Sequence, residues 1–565
     1  MKKKEETGLT VDKINSKFDA YKRLYGQLHT DQRLCDDYYE LGFDPDVPAD
    51  YPTLMTDTAR NWVDAGVRHY TLDNPRSTAY LRNDSDKARD EAAIKEIFMN
   101  FWMVKDILRI KLAAKKELKH GEAFLRFDFD AKYFGEKGDD RLHYFPFSTG
   151  VPTAINVYCS PYHDGLVPRD VFEDFKITMA EAEAMCELNK WEKPTGGSAD
   201  KYISWRTYYD ADVRCFLLDD KPVLTPAVQK NILGFCPYVH IDAGFGDEHH
   251  EGKPEYRYRS ILWGKRDMLK LEVRNLSQTD AIIGRYAWPR YKAILGSANT
   301  DVIKQVYPDG KVPTDPSKWL IDVKDQLETA IQTGEQPPQS LFQQLAMIKE
   351  YASPPTVLSG GRPTGVYSGQ HQETLISTAK PIYKEPFKNL EDGLAVLMGM
   401  GMRTLEKVYD YPIHIKNFAD KDSKRYWVIK PSDINGNYDC DVHLLAEPPE
   451  ATDARKYLGA NLRKGGSISE RTELKDYHDM SEQEVTDELA QKWAERGLSS
   501  IGALDVMARD AMSRLGMDKE LEALDAAQQN AAKNIPPPKQ GEGISKDLEE
   551  RATTTPTRVE GELAE

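Results

Sequence analysis

The densest concentration of chemistry-bearing side chains is Asp242-Ala-Gly-Phe-Gly-Asp-Glu-His-His-Glu251. Carboxylates and imidazoles are the ligands that divalent cations take, and a bound cation can activate water for hydrolysis. One reading of the chain is therefore a metal-dependent hydrolase. Against it, His249 and His250 are adjacent, and neighbours on an extended backbone point to opposite faces. The plainer reading is a solvated loop with no metal. Other catalytic constellations are missing. Gly244-Phe-Gly246 lacks the third glycine and the following helix of a dinucleotide fingerprint. No G-x-x-x-x-G-K-[ST] cradle occurs, so any nucleotide-driven motor working with this chain is a separate protein. G-x-S-x-G and His-Glu-x-x-His are absent too. The six cysteines (Cys35, Cys159, Cys186, Cys215, Cys236, Cys440) form no C-x-x-C pair. That predicts reduced, mostly buried thiols in an intracellular setting rather than a disulfide framework. We expect no enzyme, no catalytic residues and no cofactor.

The elements that would position any site fall into helical and extended stretches. Residues 11–42 read as a helix punctuated by Phe18, Tyr21, Tyr25, Tyr38 and Tyr39, followed by a Pro/Asp loop to Pro52. A short helix is expected at 54–67 and a long one at 86–119, ended by His120-Gly121. The period then changes to two, predicting strands at 123–129, 155–159, 205–209, 213–218 and 238–241, with a hairpin turn at Asp219-Asp220-Lys221. A second amphipathic helix is read from Tyr256 to Tyr286, and its apolar stripe from Ile261 to Ile283 suits either a core or a subunit contact. Short strands follow at 291–295, 302–306 and 319–323, and then a helix from Ser340 to Tyr351. Strands at 427–429 and 442–445 flank Asn435-Gly436, a hairpin signal. Beyond Thr452 the pattern is helical and charged, with a capping-box candidate at Ser481-Glu-Gln-Glu484. The segment 531–565 reads as a disordered acidic tail.

One stretch stands out, Ser353 to Tyr409. It opens with Ser353-Pro-Pro-Thr-Val-Leu-Ser-Gly-Gly-Arg-Pro-Thr-Gly-Val-Tyr-Ser368, whose prolines and glycines forbid regular structure. A helical pattern of about 40 residues follows, roughly 60 Å at 1.5 Å per residue. Pro381 and Pro386 inside it predict a kinked rod. Met398, Met400 and Met402 read as packing within that helix.

The formal net charge is -16, with 76 Lys and Arg against 92 Asp and Glu. Tight duplex binding needs cations that displace phosphate counterions, so this chain as a whole will not grip nucleic acid. Lys2-Lys3-Lys4 and Lys115-Lys116 read as solvated charge rather than a DNA patch. No signal peptide or apolar run long enough for a membrane span is seen, so no membrane partner is expected.

The order of elements resembles the portal proteins of tailed double-stranded DNA bacteriophages, as do several passages. Lys119-His-Gly-Glu-Ala-Phe-Leu-Arg-Phe127 is similar to that family's helix-glycine-strand step, and Asn231-Ile-Leu-Gly-Phe-Cys-Pro-Tyr-Val239 to the strand before its stem. Val366-Tyr-Ser-Gly-Gln-His-Gln372 resembles the start of its long helix. Val428-Ile-Lys-Pro-Ser-Asp-Ile434, with Lys464-Gly-Gly-Ser-Ile-Ser-Glu-Arg-Thr472, resembles its late strand and wing-to-crown passage.

The resemblance implies an α+β multidomain, ring-forming portal fold. Its α+β wing would span 1–255 and 370–450, the helical stem 256–290 and 338–352, and the small α/β clip 291–337. The tunnel loop would be 353–369 and the mostly helical crown 451–530. The implied assembly is a homo-oligomeric ring, usually a dodecamer, at a capsid vertex of the virion, built in the host cytoplasm. Double-stranded DNA would pass through it non-specifically during packaging and ejection. Ser359, Gly360, Gly361, Arg362, Pro363, Thr364 and Gly365 would face that DNA, with Arg362 the loop's only charged residue. The implied partners are the large terminase subunit, head–tail connector or adaptor proteins, and major capsid and scaffolding proteins. Tyr291, Lys292, Tyr307, Asp309, Lys311 and Trp319 are the candidate docking residues of the clip. A capsid-associated structural protein without a channel is the remaining alternative.

Overall fold

A computed structural model describes residues 9–47, 52–70, 75–83, 85–130, 132, 138–161, 165–189, 191–192, 198–287, 290–295, 327–332, 339–355, 381–416, 426–444, 449–478, 480, 485–486 and 488–493. The chain divides into two units, 1–483 and 484–565. In the second, residues 488–493 are helical and carry a Glu488–Lys492 ion pair at 3.3 Å.

The first unit is a mixed α+β structure with several sheets. The single helix expected over 11–42 is two, α1 (Val11–Leu24) and α2 (Gly26–Glu40), with Tyr25 between them. Next come α3 (Thr58–Tyr70) and β1 (Arg76–Ala79). The long helix expected over 86–119 is also divided, into α4 (Asp86–Lys105) and α5 (Ile107–His120). The break is at Asp106. Its carboxylate accepts the Trp102 indole N–H at 3.0 Å and the Thr149 amide at 2.6 Å. Satisfying those two donors pins the helix pair to a neighbouring strand, and periodicity alone gives no sign of it.

After α5 come β2 (Glu122–Phe129), α6 (Asp139–Leu142), β3 (Phe147–Gly150), β4 (Val157–Cys159), β5 (Asp170–Thr178), α7 (Met179–Asn189), β6 (Tyr202–Asp210) and β7 (Val213–Leu218). Short strands β8 (Lys221–Pro222) and β9 (Val228–Lys230) lead to β10 (Tyr238–Asp242). Two antiparallel sheets result, one in the order β10-β2-β3 and one in the order β4-β5-β6-β7-β8 with β9 also on β7. The expected turn at Asp219-Asp220 is present, both residues at positive φ.

The helix read from Tyr256 starts later. A short α8 (Pro254–Arg257) and a 3-10 turn precede α9 (Arg266–Ala287). Then β11 (Arg290–Leu295) pairs antiparallel with β12 (Leu327–Gln332), and α10 (Gln339–Ala352) packs back against α9. The next helix, α11 (Pro381–Thr404), continues into a π-helical turn at Leu405–Tyr409, and Pro386 lies within it. The hairpin expected around Asn435-Gly436 is absent. β13 (Ile413–Lys416) pairs with β14 (Tyr426–Ile429), whereas β15 (Cys440–His443) pairs with β1. Asn435 and Gly436 instead end the short α12 (Pro431–Ile434) at positive φ, a geometry that caps helices as readily as it turns hairpins. Two more helices, α13 (Pro449–Lys464) and α14 (Glu470–Thr472), follow, the second continuing into a π-helical turn at Glu473–Tyr477. The strands expected at 302–306 and 319–323, the Ser481 capping box and the tail lie outside the described residues.

α11 is the centre of the largest core. Tyr383, Phe387, Leu390, Leu394, Leu397 and the three methionines are buried against α3, α5, β2 and β10. A second core joins α1 to β4, β5 and β6 through Phe18, Tyr158, Phe172 and Tyr208. A smaller third one lies under α7, with Trp205 and Phe216. All six cysteines are free and buried, as expected. Close packing sets two glycines of α11. A Cβ on Gly401 would lie 2.2 Å from the ring of buried Trp102, and one on Gly393 would lie 2.6 Å from Ile241.

Gly401→Ala should therefore lower stability by about 1–3 kcal/mol from overpacking, despite the roughly 1 kcal/mol that alanine gains in a helix interior. Gly26→Ala, which meets nothing within 4 Å, is the control and should be neutral or stabilising. Urea midpoints of the two variants compare them directly. Equal stability would contradict the packing described.

Candidate functional site

The candidate site is the out-and-back helix pair and the start and finish of the chain that follows it. The sequence of α9 puts Leu269 and Val273 on the face it buries, while Ile283, near its far end, is exposed. Ile348 and Ala352 are the buried residues of α10. α9 is moored by α3 and by the stretch just before it. The Thr58 hydroxyl donates to Glu272 Oε1 at 3.0 Å, and the Leu54 amide donates to Ser277 Oγ at 2.9 Å. Burial raises the Glu272 carboxyl above its ordinary pKa.

Trp62 of α3 holds both ends of the segment between α10 and α11. Its indole N–H donates to the Ala352 carbonyl at 2.6 Å. Its own carbonyl accepts the Tyr383 hydroxyl at 2.8 Å. The Lys265 ammonium lies 3.9 Å from the centre of its ring, and Trp62, Ala352 and Tyr383 are all buried. One residue thus bonds, through its indole and through its own carbonyl, to Ala352 and Tyr383 on either side of residues 353–380. Nothing in the sequence pattern singled out Trp62. A lone tryptophan in an amphipathic helix reads as core, and its partners are distant in sequence by 290 and 321 residues.

The sequence-predicted site residues fare unevenly. Tyr291 and Lys292 lie on β11, paired with Ile331 and Ala330 of β12. Tyr307, Asp309, Lys311 and Trp319 lie outside the described residues, as do Ser359, Gly360, Gly361, Arg362, Pro363, Thr364 and Gly365. Lys116 is not simply solvated. It donates to the Val151 carbonyl at 2.6 Å, and burial lowers its pKa to about 8.

The 242–251 segment spends its polar groups on itself and its neighbours. Asp242 pairs with Arg257 at 3.2 Å and accepts the Gly244 amide at 2.9 Å. Glu251 pairs with Lys253. The expectation that His249 and His250 point apart fails, since the segment is a turn and not a strand. Their rings lie 4.2 Å apart, and His249 stacks on Tyr256 at 4.3 Å. Among the described residues no three His, Cys, Asp or Glu side chains are grouped to hold a metal ion.

A constellation that sequence reading missed has the form of a nucleophile, base and orienting acid. Cys159 Sγ is 3.6 Å from His240 Nδ1, and His240 Nε2 is 2.7 Å from Glu122 Oε2. Such a triad does acyl chemistry only where a substrate can reach the sulfur. Here Cys159 and Glu122 are fully buried, His240 lies flat on Phe124, and the Tyr25 hydroxyl is 3.2 Å from the thiol. The group is a buried polar link between β4, β10 and β2. Burial opposes a charge on His240, but Cys159 and Glu122 outweigh it and raise the imidazole pKa to about 10.

No protein-family model and no curated protein matches the chain. Among solved structures it is similar to a chain of the virion of a native gene transfer agent particle. The TM-score is 0.39 and the identity 10%, with 79% of this chain and 93% of that chain covered. The same figures hold for a chain of the neck of a native gene transfer agent particle computed with C12 symmetry. A TM-score of 0.39 is too low to show a shared fold.

Two outcomes are expected. Trp62→Phe keeps an aromatic side chain, smaller than the indole, but removes the N–H, leaving the buried Ala352 carbonyl without this donor at a cost of about 1–3 kcal/mol. Chymotrypsin should then cut at Leu358, Tyr367 or Leu375 several-fold faster, while the global melting temperature moves little. An unchanged cutting rate would mean that Trp62 does not hold these ends. For His240 the folded pKa of about 10 lies above the unfolded value near 6.5. Its contribution is therefore full below about pH 6.5 and is lost as pH rises through 10. The stability gap between wild type and His240→Gln should shrink between pH 7 and pH 10, and a constant gap would deny the ion pair.

Proposed function

We propose that this chain is the subunit of a portal ring, the conduit through which a tailed-phage-like particle packages and releases double-stranded DNA. The observation that carries the reading is the excursion from Arg266 to Ala352. The chain leaves on one helix, turns through an antiparallel two-stranded ribbon, and returns on a second helix packed against the first. A segment rich in glycine and proline follows at once, both its ends held at Trp62. In this reading the helix pair is the stem, the β11–β12 ribbon belongs to the clip that meets the terminase motor and later the head–tail adaptors, and residues 353–369 reach into the channel.

The physics of transport supports the same assignment. A conduit must not hold its cargo. A subunit with net charge -16, repeated around a ring, repels phosphates over a range set by the Debye length, so DNA slides instead of sticking. Arg362 is the single cation of the channel segment and gives one transient phosphate contact per subunit. The ring, about twelve-fold in the family this sequence resembles, would sit at one capsid vertex among major capsid and scaffolding proteins.

Negative-stain images and mass photometry of the purified protein test this reading. A large symmetric ring with a central hole is expected, and a monomer at micromolar concentration would sink it. Shortening Ser359–Gly365 should leave ring size unchanged while reducing DNA packaging or retention. Normal packaging by that variant would remove the channel role of the segment.

A further inference from the structure

Two helix faces of the first unit are exposed in a way that neither the core nor the proposed conduit uses. On α5 Leu108, Leu112, Lys115 and Lys119 share one face at helical spacing, the leucines exposed and the two lysines half-buried. Leu108 is 79% exposed and Leu112 41%. Arg109, Lys111 and Lys116 flank the ridge, and the helix's only carboxylate, Glu117, is buried inward. Within the protomer Lys119 pairs with Asp36 at 2.5 Å, and Lys115 lies over the Tyr39 ring at 4.4 Å. The face is cationic and apolar in a chain that is acidic overall.

On α7 the outward ridge is the chemical opposite. Ala180, Ala184, Glu187 and Leu188 share one face, flanked by Glu181 and Glu183, and the helix carries no cation. Leu188 is 83% exposed. Leu188 and Leu108 are the two most exposed large apolar side chains among the described residues. Each thus has acid or base around it that matches the other.

We infer that α5 of one copy docks on α7 of the next, Leu108 and Leu112 meeting Leu188 while Lys111 and Lys115 face Glu183 and Glu187. Because the two patches differ, the contact is heterologous. A joined pair uses one patch of each kind and leaves one of each open, so copies add head to tail until the rotation closes a ring. The occupant is a second copy of this chain, chosen by charge complementarity on one and the same polypeptide. The inference rests on the ring reading above and names one contact within it.

Charge reversal in the full-length protein tests it, with assembly followed by mass photometry across a dilution series. Lys111→Glu with Lys115→Glu, and separately Glu183→Lys with Glu187→Lys, should each raise the midpoint concentration for assembly about tenfold or more. Combining all four should restore it to within about threefold, which general destabilisation would not do. Leu108→Cys with Leu188→Cys in one chain, whose native cysteines are all buried, should give a ladder of disulfide-linked copies under mild oxidation. A wild-type ring indifferent to both reversals, or no ladder, would overturn the contact alone. A wild-type monomer would overturn the ring reading with it. Weakening by the α5 reversal but not by the α7 reversal would also overturn it, and would assign the α5 face to an acidic segment of another protein.

Discussion

Much of this architecture depends on giving the buried carboxylate of Glu122 hydrogen-bond partners in fixed positions. A buried, unpaired charge costs several kcal/mol, so its surroundings must supply partners in fixed positions. Glu122 is fully buried and accepts from His240 Nε2 at 2.7 Å and from Gln32 Nε2 at 2.7 Å. One bond ties β2 to β10 and the other ties β2 to α2. The strand that carries it is a wall between two cores, Ala123, Leu125 and Phe127 facing the first and Phe124 the second. Gly121, at φ +83° and too close to Arg259 for any Cβ, turns α5 directly into that strand. Placing Glu122 therefore places α5 and α2, and α3 with Trp62 packs against both.

What could be read from the sequence was what repeats. The strands around Phe124, Phe216 and Val239 are short runs rich in apolar and aromatic residues, and α10 and α11 carry apolar residues at helical spacing. What could not be read depended on polar residues bonded across long separations. Asp106 breaks a helix because Trp102 and Thr149 need its carboxylate. β5 escaped notice since Glu173 and Asp174 interrupt its apolar alternation, yet Glu173 is buried and bound by Arg126 at 2.6 Å and by Tyr238 at 2.7 Å. Asn435-Gly436 has turn chemistry that serves a helix end as well as a hairpin, and only the pairing of β15 with the distant β1 decides between them. Of the candidate site, the helix pair was legible from its period and its helical spacing. Its mooring at Trp62 was not, because that lies in backbone groups.

The chemistry found and the chemistry sought lie in different places. The Asp/Glu/His-rich segment at 242–251 is a self-satisfied turn at the surface. The grouping that resembles catalytic machinery is interior, where His240 and Cys159 serve cohesion. Reactive residue types at reactive distances do not make a site unless a substrate can reach them. Among the described residues the most exposed large apolar side chains lie instead on helix faces, Leu108 on α5 and Leu188 on α7.

The Trp62 clasp has a consequence for how this protein can change over time. Since Ala352 and Tyr383 are both held by the same residue, the chain between them closes on a fixed base. The entropy of such a closure rises only with the logarithm of its length, so doubling the number of residues costs roughly 0.6 kcal/mol. Insertions and deletions there cost the fold little, whereas the same changes in α9 or α10 would shift one helix along the other. Length between these two anchors is therefore a parameter that natural variation can tune separately from the scaffold that carries it.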